Sequence, residues 1–230
     1  RRHTRCLSDW SSDVCSSDLG DPPARVTSTP STPLVARAPG RVNLIGDHTD
    51  YSGGLVLPMA IDRYTTVTGT PGGDRVRLVS DAEPDEVDLP LAVIDPAAVS
   101  PAWGRYVAGV VAEVSPSAGL VGTVTTTIPV GAGLSSSASL ETAVALALGV
   151  DGDAPAIAEL CRRAEIRASG VPCGIMDQLA VVAGVDGHAL LIDCHSLDVR
   201  PVRVPDGLDI VVWFVAHRTL AGSEIGRAHV

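Results

Sequence analysis

The chain has 230 residues, a formal net charge of −10 and 45% hydrophobic residues. That balance excludes a nucleic-acid binder, which would need a basic stripe, and no apolar run approaches the ~20 residues of a membrane span. All 17 basic residues are Arg, which also excludes a P-loop, whose Lys reaches the phosphates, and Schiff-base chemistry.

Both ends carry an unusual relation. Glu224–Val230 can be encoded by DNA whose reverse complement encodes Asp13–Leu19, as expected where a sequencing adapter is read from both sides. Residues 1–19 and 224–230 are therefore expected to be adapter-derived and are set aside from fold reasoning, as tags and fusion scars are. Of the five Cys, Cys6 and Cys15 fall in that leader. Cys161, Cys173 and Cys194 have neither CxxC spacing nor metal-type clustering, and scattered thiols fit a reduced, cytoplasmic setting.

Residues 20–33, rich in Pro, Ser and Thr, predict a flexible lead-in. Leu34–Ala38 predicts a first strand, broken at Pro39-Gly40. The stretch from Arg37 to Gly54 is dense in polar groups: Asp47, His48, Asp50 and Tyr51 crowd together between Gly40, Gly46, Gly53 and Gly54. Such residues are too close to alternate in and out of one sheet, and glycines let the backbone approach a ligand. Dense donors and acceptors suit a polyhydroxylated ligand, since each hydroxyl needs a partner once water is displaced; a solvated turn is the alternative. Leu55–Ile61 and Tyr64–Gly69 predict short strands. Pro71-Gly-Gly-Asp74 predicts a turn into Arg75–Ser80, giving a hairpin. The acidic, Pro-bearing 81–101 predicts loop.

Trp103–Val114 has helical spacing, with Tyr106, Val107, Val110, Val111 and Val114 on one face. Gly122–Ile128 predicts a strand. Pro129–Ser139 then runs into a helix pattern at Leu140, Val144, Ala147 and Leu148. A Gly/Ser loop emptying into a helix N-terminus offers unpaired N–H groups and the positive end of the dipole, an anion site. The hydroxyls of Ser135, Ser136 and Ser137 either cap that helix or coordinate a metal that travels with phosphate. Ala154–Ala168 predicts a further helix with Glu165 in its last turn, unfavourable for the dipole, so that Glu165 either faces solvent or meets a cation. Asp177 near the next helix start is either a cap or a carboxylate at a site wall. Ala189–Asp193, Val199–Val204 and Asp209–Ala216 predict three strands; His188, His195 and His217 have no metal spacing. Strands, helices and a hairpin in this order predict an α+β fold.

Taken in order, Gly40-Arg-Val-Asn-Leu-Ile-Gly-Asp-His-Thr-Asp-Tyr51 with Gly53-Gly54, the loop Pro129–Ser139, and Cys173-Gly-Ile-Met-Asp-Gln178 followed by His188–Cys194 resemble the galactokinases of the GHMP small-molecule kinase family, over about residues 34–223. The resemblance implies the GHMP kinase N-terminal domain, of the ribosomal protein S5 domain 2-like type, over 34–195. It implies that 196–223 is either the start of a second domain or closing strands, with the C-terminal GHMP domain and its glycine-rich motif largely missing. It implies transfer of phosphate from ATP, with Mg2+, to the anomeric hydroxyl of galactose, giving galactose 1-phosphate in the Leloir pathway, by a cytoplasmic enzyme that is monomeric when complete. This chain would then have weak or no activity. Alternatives are another sugar, such as N-acetylgalactosamine or arabinose, or a non-catalytic relative that senses galactose and nucleotide.

By the same resemblance Asp177 stands by the anomeric hydroxyl and Arg41 neutralises the transferring phosphoryl group. Asp47, His48, Asp50 and the Gly174 backbone take sugar hydroxyls. Ser137 and Glu165 hold Mg2+. Gly131, Ala132, Gly133, Leu134, Ser135, Ser136 and Ser137 line the phosphates, and Trp103 and Tyr106 flank the adenine, although from their own spacing both read as helix-face core. The family usually has Glu at the position of Asp47, one methylene longer, which leaves the choice of sugar less fixed than the reaction.

Overall fold

The computed structural model describes residues 3–6 and 33–213. The lead-in up to residue 32, Glu224–Val230, His217 and the end of the Asp209–Ala216 segment lie outside the described residues. A strand β1 (His3–Cys6) lies parallel to the start of β2 (Leu34–Asn43). Backbone pairing of this kind accepts any extended segment at an open sheet edge and does not depend on which residues provide it.

β2 does not end at Pro39-Gly40 as expected. Its pairing with β4 (Pro58–Pro71) continues to Asn43, with a register shift between Pro39 and Arg41. Pro39 is tolerated because β1 covers only Leu34–Arg37, so its missing N–H falls on an uncovered edge at a bulge. The two strands expected between residues 55 and 69 are divided differently. Leu55–Val56 (β3) belongs to another sheet, and Asp62-Arg63 does not interrupt β4.

The expected hairpin is absent. The larger sheet runs β1-β2-β4-β7-β5-β6, with β5 Arg75–Ser80, β6 Val87–Pro90 and β7 Leu120–Thr126. β7 lies between β4 and β5, antiparallel to the first and parallel to the second. The turn at Gly72-Gly73 bonds instead to Gly119 in both directions, at 2.8 Å each. A side chain at Gly119 would sit 2.1 Å from the Arg75 carbonyl oxygen, so only Gly lets β7 enter there. Residues 81–101 are not wholly loop either, since β6 pairs with β5 and Asp88 bonds Arg75.

Every second residue of these strands faces helices: Ala36 and Ala38, Val67, Leu120 and Val124, Val76 and Leu78, Val87 and Leu89 are all buried, the period-two pattern of a sheet covered on one side. Helices α1 (Gly104–Val114), α2 (Ser136–Ala147), α3 (Ala154–Ser169) and α4 (Met176–Val182) make the second layer. α1 buries Val107, Val110 and Val111 as its spacing predicts. α2 is enclosed by β2, β4, α1, α3 and α4, which is why it is apolar almost all round. β3, β8 (His188–Asp193) and β9 (Val199–Arg203) form a small second sheet, so β9 closes onto the same unit. The strand expected from Asp209 is not formed over the described part. Val211 and Trp213 are more than four-fifths exposed, with no strand among the described residues to pair them. The architecture is two-layer α+β, as expected.

Candidate active site

The bulge in β2 has a purpose at its far end. Gly40 lies so close to the loop before α2 that a side chain would come within 2.9 Å of the Leu134 carbonyl, and Arg41 N–H donates to that same oxygen at 3.1 Å. The Gly/Ser loop is thereby pinned to β2 at the residue that precedes its functional side chain. Arg41 Nε and Nη2 both donate to Asp177 Oδ1, at 2.8 and 2.5 Å, and Nη1 donates to the Gly133 carbonyl at 2.8 Å. Ser135 Oγ donates to the other carboxylate oxygen, Asp177 Oδ2, at 2.5 Å.

Three expectations are decided by these bonds. Asp177, in the first turn of α4, does not cap the helix; both its oxygens are held by Arg41 and Ser135. The serines do not cap α2 either, because its cap residue Ser135 makes no side-chain bond to the helix and adopts φ 56°. Ser137 Oγ donates instead to Glu165 Oε1 at 2.9 Å, and Ser139 Oγ to the Ala38 carbonyl at 2.9 Å. Glu165 lies one turn before the end of α3, which runs to Ser169, and it points inward. Of its two readings, the solvent-facing one is wrong.

Ser137 and Glu165 form a pair of oxygen donors beside the Gly/Ser loop. Among the described residues no cluster of three His, Cys, Asp or Glu could hold a metal. Two protein oxygens are, however, what a hard cation needs when phosphates and water complete its shell. Burial, then the nearby Asp177, pushes the Glu165 carboxyl up to about 7, while its bonds from Ser137 and Gln178 oppose the rise. A buried carboxylate whose charge is offset only in part, by Arg41, is a place where a divalent cation fits.

The expected sugar loop folds between β2 and the second sheet. Thr49 Oγ1 donates to the carbonyls of Gly46 and Leu55, and Gly54 accepts from Cys194 N–H. Asp50 opens a short 3-10 turn, Asp50–Ser52, and faces α4. A side chain at Gly174 would meet Asp50 Oδ2 at 2.0 Å, so glycine there makes room for the carboxylate. Burial, then Asp177, raises the Asp50 carboxyl above its ordinary value. Asp47 and His48 are exposed; Asp47 accepts from Asn43 Nδ2 at 2.9 Å, and the His48 and Tyr51 rings stand 6.1 Å apart. Arg41, Asp50, Gly174, Asp177, Ser135, Ser137 and Glu165 are thus brought together, with Asp47 and His48 on the outer rim.

Trp103 and Tyr106 differ. Trp103 is buried in the core with its N–H on the Asp85 carbonyl at 3.0 Å, the role its spacing predicts. Tyr106 is half-buried, with its hydroxyl pushed up by burial and by the charges of Glu165 and Glu141, which puts it on the site's side of α1. Cys161, Cys173 and Cys194 are free, and burial raises all three thiols. Sequence reading missed Glu141, Gln178 and the hold of Ser135 on Asp177. A signal for the first two was available: Glu141 is the only charged residue in an otherwise uncharged run from Ala138 to Leu148, and Gln178 and Asn43 are the only Gln and the only Asn in the chain.

Comparison with known proteins bears on the whole arrangement. The galactokinase galactose-binding signature matches residues 25–71, and the GHMP kinases N terminal domain matches residues 105–185. The chain is 45% identical over 188 residues to galactokinase of Canis lupus familiaris, covering 75% of this chain and 47% of that protein. It is 43% identical over 219 residues to galactokinase of Chloroflexus aggregans, covering 90% and 53%. The fold superposes on the galactokinase of Lactococcus lactis solved in complex with galactose, with a TM-score of 0.68 and 31% identity over 74% of this chain and 47% of that one. Mevalonate kinase of Methanococcus jannaschii shares the fold at a TM-score of 0.61 and 20% identity, over 78% of this chain and 57% of that one. The chain spans about half the length of the curated relatives it matches. Two successive signatures that together span the site, and the galactokinases among its curated relatives, place the chain among the galactokinases of the GHMP kinase family.

Proposed function

We propose that the chain carries the sugar pocket and the phosphoryl-transfer machinery of an ATP-dependent kinase acting on the anomeric hydroxyl of galactose, in a cytoplasmic setting that its free thiols suit. The observation that carries this reading is the Arg41–Asp177–Ser135 constellation at the mouth of the Gly/Ser loop. Arg41 has five N–H donors, and three are used on Asp177 and Gly133, which leaves two for a transferring phosphoryl group. The Asp177 carboxylate offers about four lone-pair sites, of which Arg41 takes two and Ser135 one. One remains on Oδ2 for the sugar hydroxyl. As the sugar's hydroxyl oxygen bonds to the γ-phosphorus, the bond from phosphorus to the leaving ADP oxygen breaks, and the hydroxyl proton passes to Asp177 or is held by it as charge develops. Ser137 and Glu165 would hold Mg2+, which when bound neutralises charge on the phosphates. Residues 131–137 would line those phosphates, and of the two aromatics proposed at the adenine Tyr106 has the surface to offer.

Asp50, Gly174 and the rim residues Asp47 and His48 would take the sugar hydroxyls. The solved L. lactis relative, complexed with galactose, supports galactose as substrate. The exposure of Asp47 and its bond to Asn43 favour a second reading in which a substituted sugar such as N-acetylgalactosamine is also accepted. Incubation of the chain with Mg2+, labelled ATP and each of galactose, N-acetylgalactosamine and arabinose, with amide NMR of the same samples, tests both readings. Galactose is expected to shift the amides of Asp47–Gly54 and Gly174 and to yield slow formation of an acid-labile sugar phosphate. Saturating galactose that leaves those amides unmoved overturns the proposal.

A further inference from the structure

Beneath the site lies a polar group that phosphoryl transfer does not use. Glu141 on α2 and Gln178 on α4 are both fully buried, at 0% exposure. Among the described residues neither Glu141 oxygen has a hydrogen-bond partner, nor has the carbonyl oxygen of Gln178. The Gln178 amide adjoins Glu141 on one side, and on the other its Nε2 donates to Glu165 Oε2. Buried polar groups left unmatched are costly, and native proteins seldom keep them without reason. The chain is also poor in side-chain amides: Gln178 and Asn43 are the only two, and both stand at this site.

We propose that Glu141, Gln178 and Glu165 form one buried chain in which the Gln178 amide bridges two carboxyls and so holds Glu165 against Ser137, making Glu141 and Gln178 positioning residues for the cation-binding pair. The inference rests on the kinase reading for its purpose, while the chain itself can be tested without it. An amide is suited to the task because it has both donors and an acceptor. Its N–H serves Glu165, and its carbonyl is left to accept from the Glu141 carboxyl when that group carries a proton. Two carboxyls on either side of one amide, with no cation between them, cannot both carry charge cheaply. Both Glu141 oxygens are fully buried without a partner among the described residues, which favours the neutral carboxyl there, and burial, then Glu165, moves that group well above the usual carboxylate range. The proton of the neutral carboxyl is the donor which the unmatched Gln178 carbonyl requires. Three helices, α2, α3 and α4, each supply one member, so the orientation of Glu165 is set by the helix layer and not by a loop.

The composition makes the test direct, because an 15N spectrum of the full chain contains only two side-chain carboxamide NH2 groups, which resonate well apart from the Arg guanidinium nitrogens. The pair lost in Gln178→Leu is that of Gln178, and the pair of Asn43 serves as an internal reference. In the unsubstituted chain the Gln178 pair is expected to be displaced from the position of a free glutamine amide and to exchange with solvent about tenfold more slowly than one. Glu141→Gln, whose amide can still donate to the Gln178 carbonyl, adds a third pair that Gln178→Leu in the same background separates from that of Gln178, and keeps both signatures; Glu141→Met loses them while the Asn43 pair stays. Should Glu141→Met unfold, which moves both pairs, Glu141→Gln decides alone. A Gln178 pair at the free-amide position in the unsubstituted chain, or lost in Glu141→Gln, overturns the proposal. Titration with Mn2+ and ADP, read by electron paramagnetic resonance, tests the purpose separately. Weakening of Mn2+ by about tenfold in Gln178→Leu, with metal-free ADP affinity unchanged, supports positioning. Unchanged Mn2+ affinity there, with binding intact in the unsubstituted chain, overturns it, and no Mn2+ binding in the unsubstituted chain counts against the kinase reading instead.

Discussion

The two halves of the site are built to different standards. On the phosphoryl side, Arg41, Ser135, Ser137, Glu165 and Asp177 are held by one another and by the ends of three buried helices. On the sugar side, Asp47 and His48 stand exposed on a loop fastened mainly through Thr49 and the backbone. Chemistry that tolerates little displacement is placed on rigid elements, and recognition of a variable hydroxyl pattern is placed on a loop. A change of sugar therefore need not disturb the transfer machinery.

The sharpest way to break this contrast is Arg41→Met. It removes three bonds and leaves the Asp177 carboxylate, 30% exposed, without its cation. A stability loss of about 2 kcal/mol in urea denaturation is expected, with sugar phosphate formation reduced by about two to four orders of magnitude. A loss confined to activity would mean that the phosphoryl side is less interlocked than its bonds indicate.

Glu165→Gln sharpens the contrast from the opposite direction. The folded Glu165 holds its proton up to about 7 against an ordinary value of 4.5, so between those values the folded state binds a proton that the unfolded state has released. Stability of the metal-free chain should then fall as pH rises through that window, by at most about 3 kcal/mol from this group. Glu165→Gln should flatten the slope and stabilise the chain at pH 8 while abolishing Mn2+ binding. Stability that rises over the same window in both forms would contradict this.

On the sugar side the expected effects are smaller. Gly174→Ala places a methyl where the Asp50 carboxylate lies and within 2.8 Å of the Asp50 Cβ, and about tenfold weaker galactose binding is expected with about 1–2 kcal/mol of destabilisation, since the carboxylate can turn away but the Cβ moves only with its backbone. Asp47→Ala, on an exposed residue bonded only to Asn43 among the bonds described, should change galactose affinity by less than about threefold. If Asp47→Ala outweighs Gly174→Ala in calorimetric titration, the rim and not the floor of the pocket selects the sugar.

How much of this was legible in the sequence depended on whether a signal was local. The α1 face, the helix after the Gly/Ser loop and the crowded polar stretch were readable because residues three or four apart, or adjacent, report on each other. The β4–β5 hairpin was misread because Pro71-Gly-Gly-Asp74 has hairpin chemistry, and nothing nearby announces that β7 enters from far along the chain. Similarly, Asp177 was open between cap and site residue, since its partners lie 136 and 42 positions away. Glu141 escaped notice because periodicity assigns one buried face to a helix, whereas α2 is buried on nearly every side, and a carboxyl there has no exterior to face.

The insertion of β7 between β4 and β5 also sets the order in which this molecule can assemble. Neighbouring strands that pair at once through a tight turn close short loops quickly, but here β5 has no partner from its own turn and must wait for β7, or for β6 on its outer edge. The sheet's centre therefore forms only after α1 and the segment around it have been bypassed, at the entropic cost of a long loop. Folding should be slow for a chain of this size, and Gly119 and Gly122, which allow β7 its close approach to Arg75 and Thr68, are the positions where a single added methyl would delay it most.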